Sequence, residues 1–444
     1  MVSRLTESAT YRHGWTTPGA DAILGEHARV ATWLRILTVL AQEQADMGFI
    51  PLKSARDIAS LDPDSLDLEA VATGTRETSH STLGFIRVLQ AALPEDAREY
   101  VYFGITVQDL TDTWFAIVMR DVATLVLADL RECQATCVDL ALRYRETVMP
   151  GRTHGQTGSP ITFGFKAATW ADEISRQCAR IEEGVARWAV GQLAGATGAM
   201  GFFDGRGREL RARVCEELGL GDPGMSWTST RDRISEFGTT MASVCATLAR
   251  IGNEVYDLQR TEIGEVHEAR SSGTVGSITM PHKRNPERSE HLDTLGRVAR
   301  AAAGLLLEAQ VGSHERDGRS WKSEWFALPE VALASATAAS QAAALLAGLE
   351  VDEQAMDRHV RADGTWASQQ ILVGLSSHLG KHRAQALLQE VLERQPAAQS
   401  VIDQVASAAA TDPEEARQWA VAPDVREAVA MVDDVTTRLG RGPT

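Results

Sequence analysis

The sequence predicts an all-α protein with a central bundle of long helices. Alanine and leucine, two of the strongest helix formers, are abundant, whereas aromatic residues make up only 6% of the chain. Between positions 114 and 146, apolar side chains recur at the heptad-like spacing that is typical of helix bundles. With 444 residues, the chain is long enough for two or three domains and a large core.

The helices can be assigned in order from their apolar periodicity and from the residues that end them. The first places Val30, Leu34 and Leu37 on one stripe and ends at Gly48. Pro150 ends the longest one, so the polar run 151–157 is expected to be a loop. The predicted helices are 22–48, 67–72, a short one around 83–89, 114–146, 168–188, 239–259, 292–311 and 331–349, followed by a small helical region after 351.

Composition and charge exclude several classes of function. The net charge of −16 argues against nucleic acid as the main partner, because a phosphate backbone requires a basic face. A local cluster of arginine and lysine can still bind an anionic substrate. No stretch approaches about 18 uninterrupted apolar residues and no basic–apolar leader opens the chain, so we expect neither a membrane span nor a secretory signal.

The cysteines indicate a reducing compartment. Their number, five, is odd and they are dispersed, which fits the cytoplasm better than a disulfide framework. Cys133 and Cys137 share a helix face, but no second Cys/His pair lies nearby to complete a metal site. The glycine-rich stretch 191–207 is not followed by the Gly-Lys-Ser/Thr of a nucleotide-binding loop. We therefore expect neither a metal nor a cofactor.

The most informative stretch runs from 273 to 290. Its first half contains small residues that suit a mobile loop, and two prolines stiffen the exit. Between them lie a hydroxyl, a cation, an amide and a carboxylate, namely Ser277, Lys283, Asn285 and Glu290. A loop of this kind can close over a site, exclude water and deliver a catalytic hydroxyl.

Two histidines follow polar runs. His80 opens a predicted helix, so it either points into a cleft or caps the helix start. His154 lies among Thr153, Gln156 and other polar residues, without the apolar neighbours that a core histidine usually has. Both are candidates for acid–base chemistry.

Further polar candidates lie in three segments. In the first, Asp109 or Thr111 can cap the helix that follows, and Thr106 and Gln108 lie beside them. In the second, Arg233 either supports a carboxylate or lies at a solvated helix start. In the third, Arg319 and Lys322 are possible anion contacts.

These segments together resemble the fumarase/aspartase superfamily, whose signature reads Gly-Ser-Ser-x-Met-Pro-x-Lys-x-Asn. The run Gly276-Ser-Ile-Thr-Met-Pro-His-Lys-Arg-Asn285 corresponds to it, and the wording is most like the adenylosuccinate lyase and 3-carboxy-cis,cis-muconate cycloisomerase branches. The segment around His80 resembles the active-site histidine segment of adenylosuccinate lyases. The Arg-Thr-His-Gly-Gln run resembles the second signature region, in which the histidine pairs with a glutamate seven positions after the signature lysine. Counting from Lys283, that glutamate is Glu290.

The resemblance implies a fold, an assembly and a reaction. The fold has three domains, placed here at 1–105, 106–350 and 351–444. The assembly is a homotetramer whose active sites are each shared between subunits. The reaction is anti β-elimination from a substituted succinate, which releases fumarate in the cytoplasm.

The resemblance also implies a role for each candidate residue. Ser277 would be the base, helped by Lys283, and His154, oriented by Glu290, would assist the leaving group with His80 nearby. The substrate carboxylates would be held by Thr106, Gln108, Thr153, Gln156, Asn285, Arg233 and Arg319.

Two departures from the family pattern narrow the substrate. Adenylosuccinate lyases carry an arginine that helps to bind the nucleotide phosphate at the position of Trp325, which makes a nucleotide less favoured. Cycloisomerases generally lack the histidine that is retained here as His80. The sequence therefore favours a succinate with an amine or nitro leaving group at C2. Adenylosuccinate cleavage and lactone formation from carboxymuconate are the alternatives, and a non-catalytic helical protein is a more distant one.

Overall fold

The computed structural model describes residues 4–270, 273, 275, 277–362, 365–394 and 401–440, and Gly276 of the signature lies outside them. Within this part of the chain the structure is mainly helical, as predicted. Its α-helices are α1 (Pro18–Leu24), α2 (Glu26–Asp46), α3 (Leu52–Ala59), α4 (Leu68–Thr78), α5 (Leu83–Ala92), α6 (Glu95–Arg98), α7 (Val107–Arg143), α8 (Phe163–Trp188), α9 (Gly207–Glu217), α10 (Asp232–Gln259), α11 (Glu287–Ala309), α12 (Gly318–Ala347), α13 (Glu353–Arg361), α14 (Ser368–Leu379), α15 (Lys381–Glu393), α16 (Val401–Ala409), α17 (Pro413–Gln418) and α18 (Arg426–Gly440).

The remaining regular elements are short. Four strands form two antiparallel pairs, β1 (Val148–Thr153) with β2 (Gln156–Thr162) and β3 (Val266–His267) with β4 (Glu350–Val351). Single 3₁₀ turns lie at Leu5–Glu7, Arg12–Gly14, Pro63–Ser65 and Thr365–Ala367.

The contacts divide the chain into two compact units. The first comprises Met1–Leu130, Gln177–Arg250 and His291–Ala342, and the second comprises Arg131–Arg176, Ile251–Glu290 and Ala343–Thr444. In the first unit, Trp188 packs edge-on against Phe237 in the core, with ring centroids 5.8 Å apart. In the second unit, Phe163 packs against Trp170 in the same way, at 6.0 Å.

Helices in the first unit approach one another closely. A Cβ atom on Gly238 of α10 would lie 2.4 Å from the Leu306 side chain of α11, so only glycine fits there. Along α12, buried small side chains such as Ala332, Ala336 and Ala339 make the tight packing that the alanine-rich sequence predicts. Although α12 is long and apolar enough to span a membrane, about two-thirds of its apolar stretch is buried inside the protein. That burial is typical of a core helix.

The main departure from the predicted elements is the β1–β2 hairpin. The run 151–157 is an antiparallel turn rather than an irregular loop, with Val148 opposite Thr162 and Thr153 opposite Gln156. Gly151 permits the pairing, because a Cβ atom there would lie 2.4 Å from the Ser159 carbonyl oxygen. The two strands lack the usual strand pattern in the sequence, because they contain prolines and polar residues instead of alternating apolar side chains.

Candidate functional site

The signature loop is the segment that leads through Ser277, Lys283 and Asn285 to α11, and it belongs to the second unit. The Ser277 side chain lies beside a backbone amide of this loop. The Ser277 Oγ atom accepts a hydrogen bond from the Met280 amide at 3.0 Å and lies 3.4 Å from the Thr279 hydroxyl. The Lys283 amide in turn donates to the Met280 carbonyl oxygen at 3.0 Å. The loop therefore curls around the serine hydroxyl, and an amide is already in place to stabilise negative charge on Oγ.

The exit of the loop is fixed by a buried carboxylate, that of Glu268. Glu268 accepts hydrogen bonds from the Ser289 amide at 2.8 Å, from the Ser289 hydroxyl at 2.6 Å and from the Arg288 amide at 3.2 Å. These amides belong to the first turn of α11, where a negative charge is favourable. The first turn also carries the exposed Glu290, and the Asn285 side chain donates to Glu287 at 3.2 Å. Glu268 thus anchors the carboxyl end of the signature.

His154 lies at the tip of the β1–β2 hairpin. His154 and Gly155 form the two-residue turn with φ of 52° and 73°, the left-handed conformation that such turns require. Thr153 and Gln156 flank the turn, and all four residues are exposed. The histidine is therefore presented outward on a short, rigid support.

An ion-pair network holds this hairpin within the second unit. Two nitrogen atoms of Arg152 donate to the two carboxylate oxygens of Glu265, at 2.6 and 2.8 Å, and the Glu265 side chain is fully buried. The His359 Nδ1 atom contacts the same carboxylate at 2.8 Å. A bidentate pair of this kind restricts orientation as well as distance, so it fixes the strand that leads to His154.

In the first unit, His80 caps a helix. Its Nδ1 atom accepts hydrogen bonds from the Leu83 amide at 3.2 Å and from the Thr82 amide at 3.5 Å, at the start of α5. Because Nδ1 is an acceptor, the neutral ring carries its proton on Nε2. Of the two interpretations offered by the sequence, capping is therefore observed, and the exposed ring retains one N–H donor for a further partner.

Thr106 and Asp109 form the start of α7. The Asp109 carboxylate accepts from the Thr106 amide at 3.0 Å, which is the reciprocal arm of a capping box. It also accepts from the amides of Ala194 and Gly195 at 2.8 and 3.0 Å. The Thr106 hydroxyl, in contrast, receives two contacts of 3.3 Å from the guanidinium group of Arg316.

Polar atoms around Thr106 have unused hydrogen-bonding capacity. Gln108 donates to the Thr228 carbonyl oxygen at 2.9 Å, but its buried Oε1 atom has no partner among the described residues. The same holds for the Nε atom of Arg316. Burial raises the pKa of Tyr102, so this phenol stays protonated. The cluster offers donors and, in Arg316, a cation that has no ion-pair partner among the described residues, which is what a substrate carboxylate requires.

Burial has a measurable consequence at Asp109. It raises the pKa of this carboxyl from 3.8 to about 6, and the nearby Asp112 acts in the same direction. The folded protein therefore binds this proton more tightly than the unfolded chain does, and stability falls as pH rises from about 4 to about 6.

We expect Asp109→Asn to remove this pH dependence. In urea titrations, the wild type should lose up to about 3 kcal/mol relative to the variant between pH 4 and pH 7. The Asp64→Asn variant is the control, because Asp64 is exposed. Equal pH slopes for the wild type and Asp109→Asn would show that Asp109 titrates normally.

The predicted arginines are engaged at the surface. Arg233 donates to the carbonyl oxygen of Arg187, and the exposed Arg319 pairs with Asp317. The binding of a substrate carboxylate by Arg233 and Arg319 therefore stays a prediction. The buried arginine of this region is Arg231, which contacts Asp112 at 2.8 Å and Glu324 at 2.6 Å.

Arg316, Tyr102 and Arg231 were missed by the sequence interpretation. Arg316 lies only three residues before Arg319 in a run with several charges, and spacing alone does not tell which of them turns inward. In the structure, Arg319 donates to the Asp317 carboxylate at the surface, whereas Arg316 turns inward and contacts Thr106. Among the described residues, no cluster of three or more His, Cys, Asp or Glu side chains is arranged to hold a metal ion.

The sequence is similar to those of several named lyases. The sequence profile of a family described as lyase matches residues 24–300. A relative named N-acetyl-S-(2-succino)cysteine lyase, from Enterococcus italicus, is 35% identical over 426 residues, covering 94% of this chain and 93% of the relative. A relative named nitrosuccinate lyase, from Streptomyces davaonensis, is 34% identical over 381 residues, covering 83% and 80% of the two chains.

Solved structures agree with the fold. The crystal structure of β-carboxy-cis,cis-muconate cycloisomerase from Acinetobacter calcoaceticus superimposes with a TM-score of 0.87 at 26% identity. The alignment covers 97% of this chain and 100% of that one. The similarity therefore extends over essentially the whole chain.

Proposed function

This chain belongs to the fumarase/aspartase superfamily of lyases, in its adenylosuccinate lyase-like branch, and we propose that it cleaves a C2-substituted succinate by anti β-elimination. The products are fumarate and the protonated leaving group. That the protein is an enzyme follows from its lyase relatives. The observation that carries the proposal is the combination of Ser277 with its amide donor and the signature residues that follow it on the same loop.

Ser277 acts as the base. Its Oγ atom takes a proton from C3 of the succinate, and the electron pair left behind is first held as extra negative charge on the adjacent carboxylate. The C2–C3 double bond then forms as the bond to the leaving group breaks. A serine alkoxide is costly, so it needs stabilisation by surrounding donors. The Met280 amide at 3.0 Å supplies one donor, and Lys283 supplies a positive charge from the same loop.

Donors next to the carboxylates stabilise the intermediate. Proton loss from C3 places extra negative charge on the adjacent carboxylate, which must be neutralised in the transition state. Lys283 and Asn285 bind this group, and the Thr106 cluster with Arg316 binds the other carboxylate. Gln108, Thr153 and Gln156 complete the pocket, while Arg233 and Arg319 reach it only by changing their present partners.

His154 protonates the leaving group. A carboxylate behind an imidazole fixes its tautomer and favours the protonated form, and Glu290 takes this role. His80 lies nearby in the assembled site and donates through Nε2, since its Nδ1 atom is occupied by backbone amides.

The active enzyme is a homotetramer whose sites are shared between subunits. The exposed hairpin tip with His154 and the exposed signature loop support this, because neither is enclosed by the chain itself. Its compartment is the cytoplasm, supported by five cysteines that are all buried.

The leaving group is attached through a heteroatom. The sequence favours nitrogen, and the relative named nitrosuccinate lyase is consistent with a nitro group. The relatives named N-acetyl-S-(2-succino)cysteine lyase extend the range to sulfur. Trp325 at the end of the site opposes a nucleotide phosphate, because an indole ring offers no positive charge.

A panel of succinyl compounds tests the proposal. We expect fumarate, followed by its ultraviolet absorbance, from 2-nitrosuccinate, from an N-substituted aspartate or from an S-(2-succino) thiol, and little from adenylosuccinate. Absence of fumarate with every succinyl compound would contradict the lyase function.

Lactone formation from 3-carboxy-cis,cis-muconate is the second candidate. It is favoured by the structural similarity to the cycloisomerase and by the run Glu324-Trp-Phe-Ala-Leu-Pro-Glu330. Loss of the muconate absorbance without fumarate release would assign this reaction instead.

A further inference from the structure

The first unit contains a cavity of about 500 Å³ with aromatic walls. Trp33 of α2, Trp114 and Phe115 of α7, and Trp325 of α12 line it. The Trp33 and Trp114 rings meet edge to face with centroids 6.1 Å apart, and both residues are more than nine-tenths buried. A cavity of this size and lining is typical of a site for a small organic ligand.

Two residues of the cavity wall lie close in the chain to residues that are proposed to act on the substrate. Ser81, which follows the catalytic candidate His80, lines one side. Thr111, in the second turn of the helix that begins after Thr106, lines another. A group attached to C2 of a succinate held at Thr106 would therefore have this cavity within reach.

The charges at the rim are already neutralised. Arg29 pairs with Glu26 at 2.7 Å, and Arg76 pairs with Glu69 at 2.8 Å. A phosphate or a second dicarboxylate would have to break these pairs. The rim and the aromatic walls instead favour an uncharged body.

The walls also carry donors without acceptors. The indole nitrogen atoms of Trp33, Trp114 and Trp325 and the Nε atom of Arg29 are buried and have no hydrogen-bond partner among the described residues. Buried N–H groups are costly when unpaired, so a ligand that brings a carbonyl oxygen and allows a small ring rotation is favoured.

We infer that this cavity receives the leaving group, and that this group has an apolar body with a neutral carbonyl acceptor, as in an acylated amino thiol. The inference rests on the proposed lyase function and defines its substrate class. A nitro group alone would occupy little of the cavity, whereas an acylated thioether would occupy much more of it. The elimination itself is unchanged: the C2–S bond breaks, sulfur keeps the electron pair and the thiol leaves after protonation.

Two pairs of substrates test the inference. The purified enzyme is assayed for fumarate release with 2-(methylthio)succinate and 2-(benzylthio)succinate, and with S-(2-succino)cysteamine and its N-acetyl derivative. We expect kcat/KM to be about tenfold higher for the benzyl compound, because the ring is removed from water. We expect a similar preference for the acetylated compound, because acetylation removes the buried ammonium charge and adds the acceptor.

Filling the cavity should abolish the size preference. Ala72 lines the cavity, so Ala72→Phe places a ring inside it, and the benzyl-to-methyl ratio of kcat/KM should fall to about one. Ala91→Phe is the matched control, because Ala91 is exposed on α5 and should keep the wild-type ratio. Thr75→Leu, a smaller change on the same wall, should lower the ratio if Ala72→Phe does not fold.

These experiments distinguish a failure of the inference about the cavity from a failure of the proposed lyase function. Fumarate release at equal efficiency within both pairs, or an unchanged ratio in a folded cavity-filling variant, would overturn the inference and leave the lyase function standing. No fumarate from any compound would overturn both.

Discussion

Replacing Ser277 with alanine should lower kcat/KM for fumarate release by about 10³-fold while leaving the fold intact. The side chain is half-exposed on a loop, and its hydrogen bonds within the described part of the chain are to Met280 and Thr279, so little packing is lost. Losing the base removes the group that accepts the C3 proton, and general bases typically contribute factors of 10² to 10⁴. The measurement is steady-state kinetics on the best substrate of the panel, with circular dichroism to monitor folding.

The control is a neighbouring side chain on the same loop. Val275 is exposed and has no proposed role, so Val275→Ala should retain most of the activity. If Ser277→Ala keeps wild-type turnover, another group is the base. If the sites are shared between subunits, refolding a mixture of Ser277→Ala and His154→Ala should restore turnover, whereas separate sites would leave the mixture inactive.

Replacing Arg231 with methionine should cost about 3–5 kcal/mol of unfolding free energy. The guanidinium group is buried between Asp112 and Glu324 and lies over the Trp227 ring at 5.0 Å. Methionine fills much of the space but leaves two buried carboxylates facing each other. Burial already raises the pKa of Glu324 to about 7, and loss of the cation raises it further. The destabilisation should therefore be larger at pH 8 than at pH 5.5, where the Glu324 carboxyl is protonated.

Arg233→Ala is the matched control for this prediction. Arg233 lies two positions away and donates to a backbone carbonyl at the surface, so its loss should change stability by about 0.5 kcal/mol or less. Urea unfolding at both pH values distinguishes the two arginines. Equal effects of the two substitutions would mean that the buried network contributes no net stability.

Which of the two arginines is buried could not be predicted from the sequence. Arg231 and Arg233 stand in one Arg-Asp-Arg run, and the sequence interpretation selected Arg233 for the substrate. The structure buries Arg231 instead, because α7 and α12 bring Asp112 and Glu324 to that point from distant parts of the chain. Burial of a charge depends on partners that spacing along one segment does not reveal.

The hairpin at His154 shows the same limit for secondary structure. Periodicity identified the long helices, because an amphipathic helix carries its signal within its own sequence. The strands Val148–Thr153 and Gln156–Thr162 carry no such signal. They form because each satisfies the backbone of the other, with the bidentate Arg152–Glu265 pair holding the first strand.

By itself, the sequence determined the helical class, the superfamily and the lyase chemistry, because these depend on local periodicity and on residues that are contiguous in short motifs. Only the tertiary structure decided that Arg316 meets Thr106, that Asp109 accepts hydrogen bonds from three backbone amides and that five helices line an aromatic cavity together with Ser81. Each of these features joins residues far apart in the chain, and their distance and burial exist only once the helices have packed.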